Sequence, residues 1–491
     1  MRATRRGASS PPLLALGGLF LLGAALRFAT IDLQSYRYDE AVTVARVLHP
    51  SFFDTFAAVS HSESTPPLYY LVAWLWSQPF GTGEIWMRSL SALAGTASIL
   101  VVYLAARALP LSRRAALIAA AALAVSPVLI WFAQDARAYS LVFLLTALSF
   151  LLFARARRSQ SRRDLAWWAV FSALALATHY FAGFVVVAEA ALLWRRPNRR
   201  AVAVALLPVL AMGALLLPLA LEQRDHAHAA WIAAQPREQR LERAAAKLVG
   251  SDNGEEHGRR ATDPIPLAVP LLLALASLGL LLAIGSPEER RAAGAAAAVG
   301  AIALALPLAL ALLGPDYLDG RNLLPVYVPL LILLGAGFGV KRAGPWGLGL
   351  ATAFCLCGLV FTLEIDRLPR LQREDLRNAA AAVGTLEPGE VVVTDRYSAG
   401  WPLRYYLDAH PATVLPPLRE IDLVGSRSAA EAHARQVLPA AFHEVEAESV
   451  SYDFTLTRYR SSRPVRVSVR ALEGGALVGG GGRALVLVAS S

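Results

Sequence analysis

Apolar residues in this chain come in long windows repeated from end to end, and that serial pattern constrains the fold before any motif is considered. The windows run over 12–29, 86–109, 115–133, 138–153, 165–181, 182–194, 201–220, 265–284, 293–313, 322–340 and 345–363. A helix crosses a hydrocarbon core with about 17–25 apolar residues, a length that most of these windows meet. Of the 491 residues 56% are apolar and only 17% charged, whereas soluble domains carry about 45–50% and 25%. The expected fold is a polytopic α-helical membrane protein of about 11 spans.

The net charge of +10 is not that of a nucleic-acid binder. Basic residues fall in short clusters between windows: Arg113-Arg114, Arg155 to Arg163, Arg195 to Arg200, Arg290-Arg291 and Lys341-Arg342. With a cytoplasmic N-terminus and one crossing per window, all five clusters land on the cytoplasmic side, as the positive-inside rule requires. The expected location is therefore the cell (plasma or inner) membrane, multi-pass, with membrane lipids as neighbours and no nucleic-acid partner. Arg2, Arg5 and Arg6 before the apolar stretch Pro12 to Leu26 resemble a signal peptide. No small-x-small site precedes Arg27, so the stretch is expected to remain as the first span. Cys355 and Cys357 lie inside one window at a helical spacing that points them apart, which predicts neither disulfide nor metal site.

The same parity excludes Pro66 to Phe80, PPLYYLVAWLWSQPF, as a crossing, since a span there would invert every later cluster. It is expected to form an interfacial or re-entrant helix, with tryptophan and tyrosine at headgroup depth. Windows 165–181 and 182–194, joined by Thr178-His179-Tyr180, fit a tight outward hairpin or one longer tilted span; the hairpin keeps the parity. The outer face then holds the loop 30–85, the turn Gln134 to Tyr139, the loop 221–264 and Gly314 to Arg321. After residue 365 the pattern changes: helices over 370–382 and 398–407 and strands over 390–394, 452–459 and 465–469 predict a small extracytoplasmic α/β domain over 366–491. Residues 1–365 form the expected transmembrane catalytic domain.

Ionisable groups beside hydrocarbon need water or partners and tend to be used. On the outer face the candidates are Asp39 and Glu40, Glu63, Arg88, the group Asp135, Arg137 and Tyr139, His179, and Arg321 after Asp316 and Asp319. A carboxylate that accepts a proton, set among arginines that hold a phosphate, suits displacement at carbon with a phosphate leaving group. By residue chemistry alone Asp39 also fits an N-cap for a helix over 41–48. Arg137 also fits a snorkelling side chain, Arg88 and Arg321 fit span anchors, and His179 fits packing at a span end. His226, His228 and Glu255-Glu256-His257 match no metal-ligand spacing and read as solvated loop.

The ordered segments YRYDEA, TPPLYYLVAWLW, WMRSLSALAGTASILVVYLAARAL, SPVLIWFAQDARAYSL, THYFAGF and GRNLLPVYVPLLILLGAG resemble the GT-C fold glycosyltransferases. The similarity is greatest to bacterial relatives of protein O-mannosyltransferases and of the lipid A aminoarabinose transferase. It covers about Arg27 to Gly337 and continues into EDLRNAAAAV. It implies an inverting transfer of a sugar from a polyprenyl-phosphate donor to a hydroxyl of a protein, lipid or glycan acceptor on the outer face. By position it implies Asp39 as catalytic base and Arg137 and Tyr139 beside the lipid phosphate. From their place on the expected outer face, Glu40 and Glu63 are candidate supporting acids, Arg88 and Arg321 further candidates for the donor phosphate, and Asp135 and His179 candidates behind them. No cofactor is called for, and a divalent cation is compatible with the resemblance. One departure stands out: relatives often carry a basic or histidine residue before the two prolines, where this chain has Thr65. A transporter or flippase of a lipid-linked sugar would place arginines similarly, but it would show broken helices and internal repeats with charges near mid-membrane. Here the charges gather at one face and no repeat is evident.

Overall fold

The computed structural model describes residues 11–226, 230–249, 265–314, 316–426, 438–474 and 484–490. It separates into two compact units, one of Met1–Ile31 and Pro50–Leu371 and one of Asp32–His49 and Gln372–Ser491. The expected loop 30–85 therefore divides: its first part, with Asp39 and Glu40, belongs with the C-terminal unit.

In chain order the helices are α1 (Pro11–Phe28), α2 (Tyr38–Val42), α3 (Phe52–Ser62), α4 (Leu68–Phe80), α5 (Glu84–Ala108), α6 (Arg113–Ala124), α7 (Pro127–Ala133), α8 (Tyr139–Ser159), α9 (Arg162–Thr178) and α10 (Ala182–Trp194). There follow α11 (Arg199–Asp225), α12 (Ala230–Ala234), α13 (Arg237–Leu248), α14 (Ala268–Ala283), α15 (Pro287–Leu313), α16 (Tyr327–Phe338) and α17 (Gly344–Arg367). Among the described residues six stretches are long and apolar enough to cross a membrane: α5, α8, α11, α15, Gly320–Phe338 and Lys341–Arg367. Three shorter apolar helices, α1, α10 and α14, lie among them. Every apolar window is helical. Windows 165–181 and 182–194 form two helices, α9 and α10, separated by three residues.

Capping explains several of the starts. Ser112, Ser126, Ser161 and Ser286 each accept a hydrogen bond from a backbone N–H in the first turn, which satisfies a donor that the helix leaves open. Ser126 and Pro127 also break window 115–133, which bends by 57° between α6 and α7. The break is secured by Arg27, a fully buried residue that sequence reading used only as a boundary. Its guanidinium donates to the carbonyls of Leu123 (3.1 Å) and Ala124 (3.0 Å) at the α6 C-terminus and to Gly23 (2.9 Å). A cation satisfies these exposed carbonyls and opposes the negative end of the helix dipole. Gln134 returns the contact, donating to the carbonyls of Leu26 (3.3 Å) and Arg27 (3.2 Å) and to Thr30 Oγ1 (2.8 Å). Glycine is required opposite: a Cβ on Gly95 would press on Ala133 and on the Arg27 guanidinium. A second polar node, also unread in the sequence, joins three helices. Ser149 of α8 (2.6 Å) and Trp168 of α9 (2.8 Å) donate to the buried Glu189 of α10.

The C-terminal unit holds a six-stranded sheet in the order β2-β6-β1-β3-β5-β4, from strands Glu390–Asp395 (β1), Ala409–Pro411 (β2), Leu418–Ser426 (β3), His443–Ser449 (β4), Phe454–Val465 (β5) and Ala484–Ala489 (β6). Among the described strands only β1 and β3 pair in parallel, with Val392 opposite Asp422. The two-residue period of a strand divides β1 between two cores. Val391 and Val393 pack with Ile421, Leu423 and Phe442. Val392 packs with Val424, Leu456 and Leu487, under α18 (Leu376–Val383) and α19 (Gly400–Tyr406).

Several expectations need correction. The helix expected over 370–382 starts at Leu376, because Asp375 accepts from Asn378 N and caps it there. The helix expected over 398–407 is confined to α19. The strand expected over 465–469 ends at Val465, and Ser468 caps a short helix, Val469–Leu472. In place of a solvated loop over 221–264 the described part holds the end of α11 and the helices α12 and α13. His228 and Glu255 to His257 lie outside the described residues.

Candidate active site

The candidate residues fall in both units.

In the C-terminal unit the adjacent acids Asp39 and Glu40 have opposite environments. Glu40 is fully buried; its Oε2 accepts from the Arg373 guanidinium (3.2 Å) and from Arg37 N (3.2 Å). Neighbouring contacts fix the same segment. Arg373 N donates to Gln34 Oε1 (2.8 Å), Ser35 Oγ donates to Glu374 O (2.6 Å), and Leu376 N donates to Ser35 Oγ (3.1 Å). Tyr36 packs edge-on to Tyr405, and its N–H donates to Tyr406 Oη (2.7 Å). Glu40 is thus an anchor, since a buried carboxylate is tolerable only when paired. Asp39 has a side chain 31% exposed and lies 3.5 Å from the Arg37 guanidinium. It sits inside the first turn of α2, with Arg37 at the cap position, so the N-cap alternative is excluded. The helix expected over 41–48 is α2 followed by a π-helical turn, Thr43–Val47. A π-turn inserts an extra residue and is frequent at functional sites.

In the helical unit, residues from five points of the chain converge. Arg137, in the turn between α7 and α8, is held end-on by Glu63, which follows α3: both guanidinium NH groups donate to the carboxylate at 2.7 Å, and both side chains are buried. The Tyr70 ring of α4 lies under this guanidinium, with its hydroxyl 2.9 Å from Thr65 Oγ1. His179, between α9 and α10, contacts the rings of Tyr139 and Phe181. The charges of both Arg137 and Arg321 act on its ring. Arg321 opens a 3-10 turn, Gly320–Val326, and donates through Nε (3.3 Å) and backbone N (2.9 Å) to Asp319. Lys247 of α13 approaches the same carboxylate at 3.8 Å. Burial acts to raise the Asp319 carboxyl, but Lys247, Arg321 and the Arg321 N–H outweigh it and hold it at about 2.

The Glu63 carboxylate meets the Arg137 guanidinium, and the Asp319 carboxylate meets both Lys247 and Arg321. Arg88 of α5 is buried and donates to Ile31 O at 3.1 Å. Asp135 is fully buried in the Arg137 turn.

Sequence reading missed Lys247 and Arg240. The latter makes a paired contact with Asp316 (2.6 Å twice), which steadies the chain ahead of Asp319. The signal was there: in α13, Arg240, Ala244 and Lys247 recur at helical spacing on one buried face. Gly320 is tied to the same contact, because a Cβ there would collide with the Lys247 side chain.

Residues 64–221 match the family described as dolichyl-phosphate-mannose-protein mannosyltransferase. The fold is that of ArnT from Cupriavidus metallidurans. The structure bound to undecaprenyl phosphate superposes with a TM-score of 0.55 at 15% identity, over 92% of this chain and 98% of that one. The apo structure gives 0.57 at 14% identity, over 91% and 97%. Among curated proteins, none matches this chain by sequence.

Proposed function

We propose that this chain, which has the GT-C fold and is related to the ArnT structures, is an integral-membrane glycosyltransferase that moves a sugar from a polyprenyl-phosphate donor to an acceptor hydroxyl by inverting displacement. The observation that carries the reading is the gathering of three cations, Arg321, Lys247 and Arg137, with Tyr139 and His179 in a bundle of apolar helices. That arrangement suits the phosphate of a lipid whose chain stays in hydrocarbon.

In the reaction the acceptor oxygen forms a bond to the anomeric carbon while the bond from that carbon to the phosphate oxygen breaks. Asp39 accepts the hydroxyl proton, and the lipid phosphate leaves with the bonding pair. Negative charge grows on the phosphate oxygen as this happens, so Arg321 stabilises the transition state more than the bound donor. Arg137, backed by Glu63, orients this set. Asp39, the donor site and the C-terminal unit are assigned to the outer face of the cell membrane, with the N-terminus cytoplasmic.

The test supplies purified protein in nanodiscs with a radiolabelled polyprenyl-phosphate sugar and separate panels of peptide, glycan and lipid acceptors. Label should pass to one acceptor class, with polyprenyl phosphate released in equal amount. A donor that stays intact with every acceptor would overturn the proposal.

A further inference from the structure

In the C-terminal unit the aromatic residues next to Asp39 hold two arginines whose purpose the transfer chemistry leaves unexplained. The Arg404 guanidinium lies over the Trp401 ring at 4.7 Å, and that of Arg46, from the π-helical turn after α2, lies over the same ring at 5.6 Å. A guanidinium over an indole is favourable, but two around one indole repel each other. Burial, and then Arg46, shift the Arg404 guanidinium below its ordinary range. Arg404 has no acidic partner among the described residues, although Asp39, Glu40 and Asp395 lie in the same elements or beside them. Tyr38, adjacent to Asp39, hydrogen-bonds Trp401 and feels the charges of Asp39, Arg46 and Tyr397. Tyr397 is largely exposed. A guanidinium held on an indole without an acidic partner, as Arg404 is, presents a carboxylate or phosphate with two directed donors.

We propose that Arg46, Trp401 and Arg404 form an anion subsite that holds the carboxylate or phosphate of an acidic sugar, and that this sugar is the acceptor. The anion subsite stands on the geometry of this unit; its description as an acceptor subsite rests on the transferase reading above. Tyr38 links the two functions through the chain. It contacts the arginine platform with its side chain and is followed directly by the proposed base, so an acceptor anchored by its acid group has its hydroxyls on the Asp39 side. The specificity that follows is for saccharides that carry a negative charge over neutral ones of the same shape.

The experiment labels the full-length protein with 5-fluorotryptophan in phosphatidylcholine nanodiscs and assigns the Trp401 resonance by its loss in Trp401→Phe. Glucuronate, glucose 6-phosphate, glucose and inorganic phosphate are titrated separately. Glucuronate and glucose 6-phosphate should shift the Trp401 resonance saturably, and glucose should not. Arg404→Gln should weaken the response about tenfold or more, the loss of one charged hydrogen-bond partner, while Arg404→Lys retains part of it. An equal response to glucose, or an unchanged response in Arg404→Gln, overturns the anion subsite. Inorganic phosphate acting as strongly as glucose 6-phosphate overturns the saccharide assignment. A shift on replacing phosphatidylcholine by phosphatidylglycerol, with no response to sugar acids, makes the site a lipid contact and likewise overturns it. The readout needs no turnover, so it fails separately from the transferase reading: protein that binds glucuronate but never consumes labelled donor refutes the transferase and not the subsite.

Discussion

Arg137 and Glu63 face each other end-on, two parallel hydrogen bonds of 2.7 Å joining side chains that are both buried and 74 positions apart in the chain. The pair fixes the turn after α7 to the segment that precedes the two prolines. It also consumes the arginine charge that would otherwise be available to a phosphate.

Breaking one side of such a pair leaves a buried charge uncompensated, which costs about 3–5 kcal/mol. Arg137→Met and Glu63→Gln should each lower the unfolding temperature of the purified protein strongly. The double variant should recover most of the loss, because neither charge is then stranded. Thermal unfolding of the four proteins, with transfer measured beside it, tests this. Losses that simply add would mean the two side chains do not act as a pair.

Asp39→Asn should reduce transfer by about 10²–10⁴-fold, the usual loss of a general base, with unfolding temperature almost unchanged because the side chain is partly exposed. Glu40→Gln should do the reverse: it strands Arg373 and lowers stability, and the fraction that folds keeps most of its turnover. Measuring both quantities for both variants separates the adjacent acids. A product with retained anomeric configuration would speak against the single displacement.

Asp319 gives a pH signature. Its carboxyl is held at about 2 in the folded chain against an ordinary value of 3.8. A depressed acid contributes stability that is fully present above the unfolded value and is lost as pH falls through the folded one. The contribution is about 2 kcal/mol at neutral pH, and it disappears between roughly pH 4 and pH 2. Asp319→Asn should be less stable at pH 7 and should show a shallower acid limb over that interval. Parallel acid limbs would assign the depression elsewhere.

Single cysteines introduced for His61 and Glu444 in a Cys355→Ala/Cys357→Ala background should react with an impermeant maleimide in intact cells. One introduced for Arg291 should react only after permeabilisation. The opposite pattern would invert the proposed orientation.

The helices were legible because hydropathy is a property of each segment by itself. Windows of apolar residues become helices whatever their neighbours do, and Ser126-Pro127 was a visible place for window 115–133 to bend. The affiliation of Asp32–His49 was not legible. It depends on Gln34 and Ser35 meeting Arg373 and Glu374 more than 330 positions later, and no periodicity encodes such a meeting. Asp39 and Glu40 looked alike in sequence because burial alone tells them apart. The strand β4, HEVEAES, is exposed along its whole length and so lacks the in-out alternation by which strands are recognised. Lys247 could have been found from the stripe it shares with Arg240, had the outer loop been read for helical period.

The Arg27 clamp bears on how the chain enters its membrane. When α1 leaves the ribosome its arginine has only the Gly23 carbonyl of its own helix to bind. The Leu123 and Ala124 carbonyls that complete its shell are made 96 and 97 positions later. Until then a charge placed within hydrocarbon costs at least about 2.5 kcal/mol, so the end of α1 is best kept at the wet margin of the bilayer or inside the translocon. Burial of Arg27 therefore becomes favourable only when the α6–α7 break has been synthesised. The first helix takes its final depth as a late step of biogenesis, together with the turn that carries Arg137.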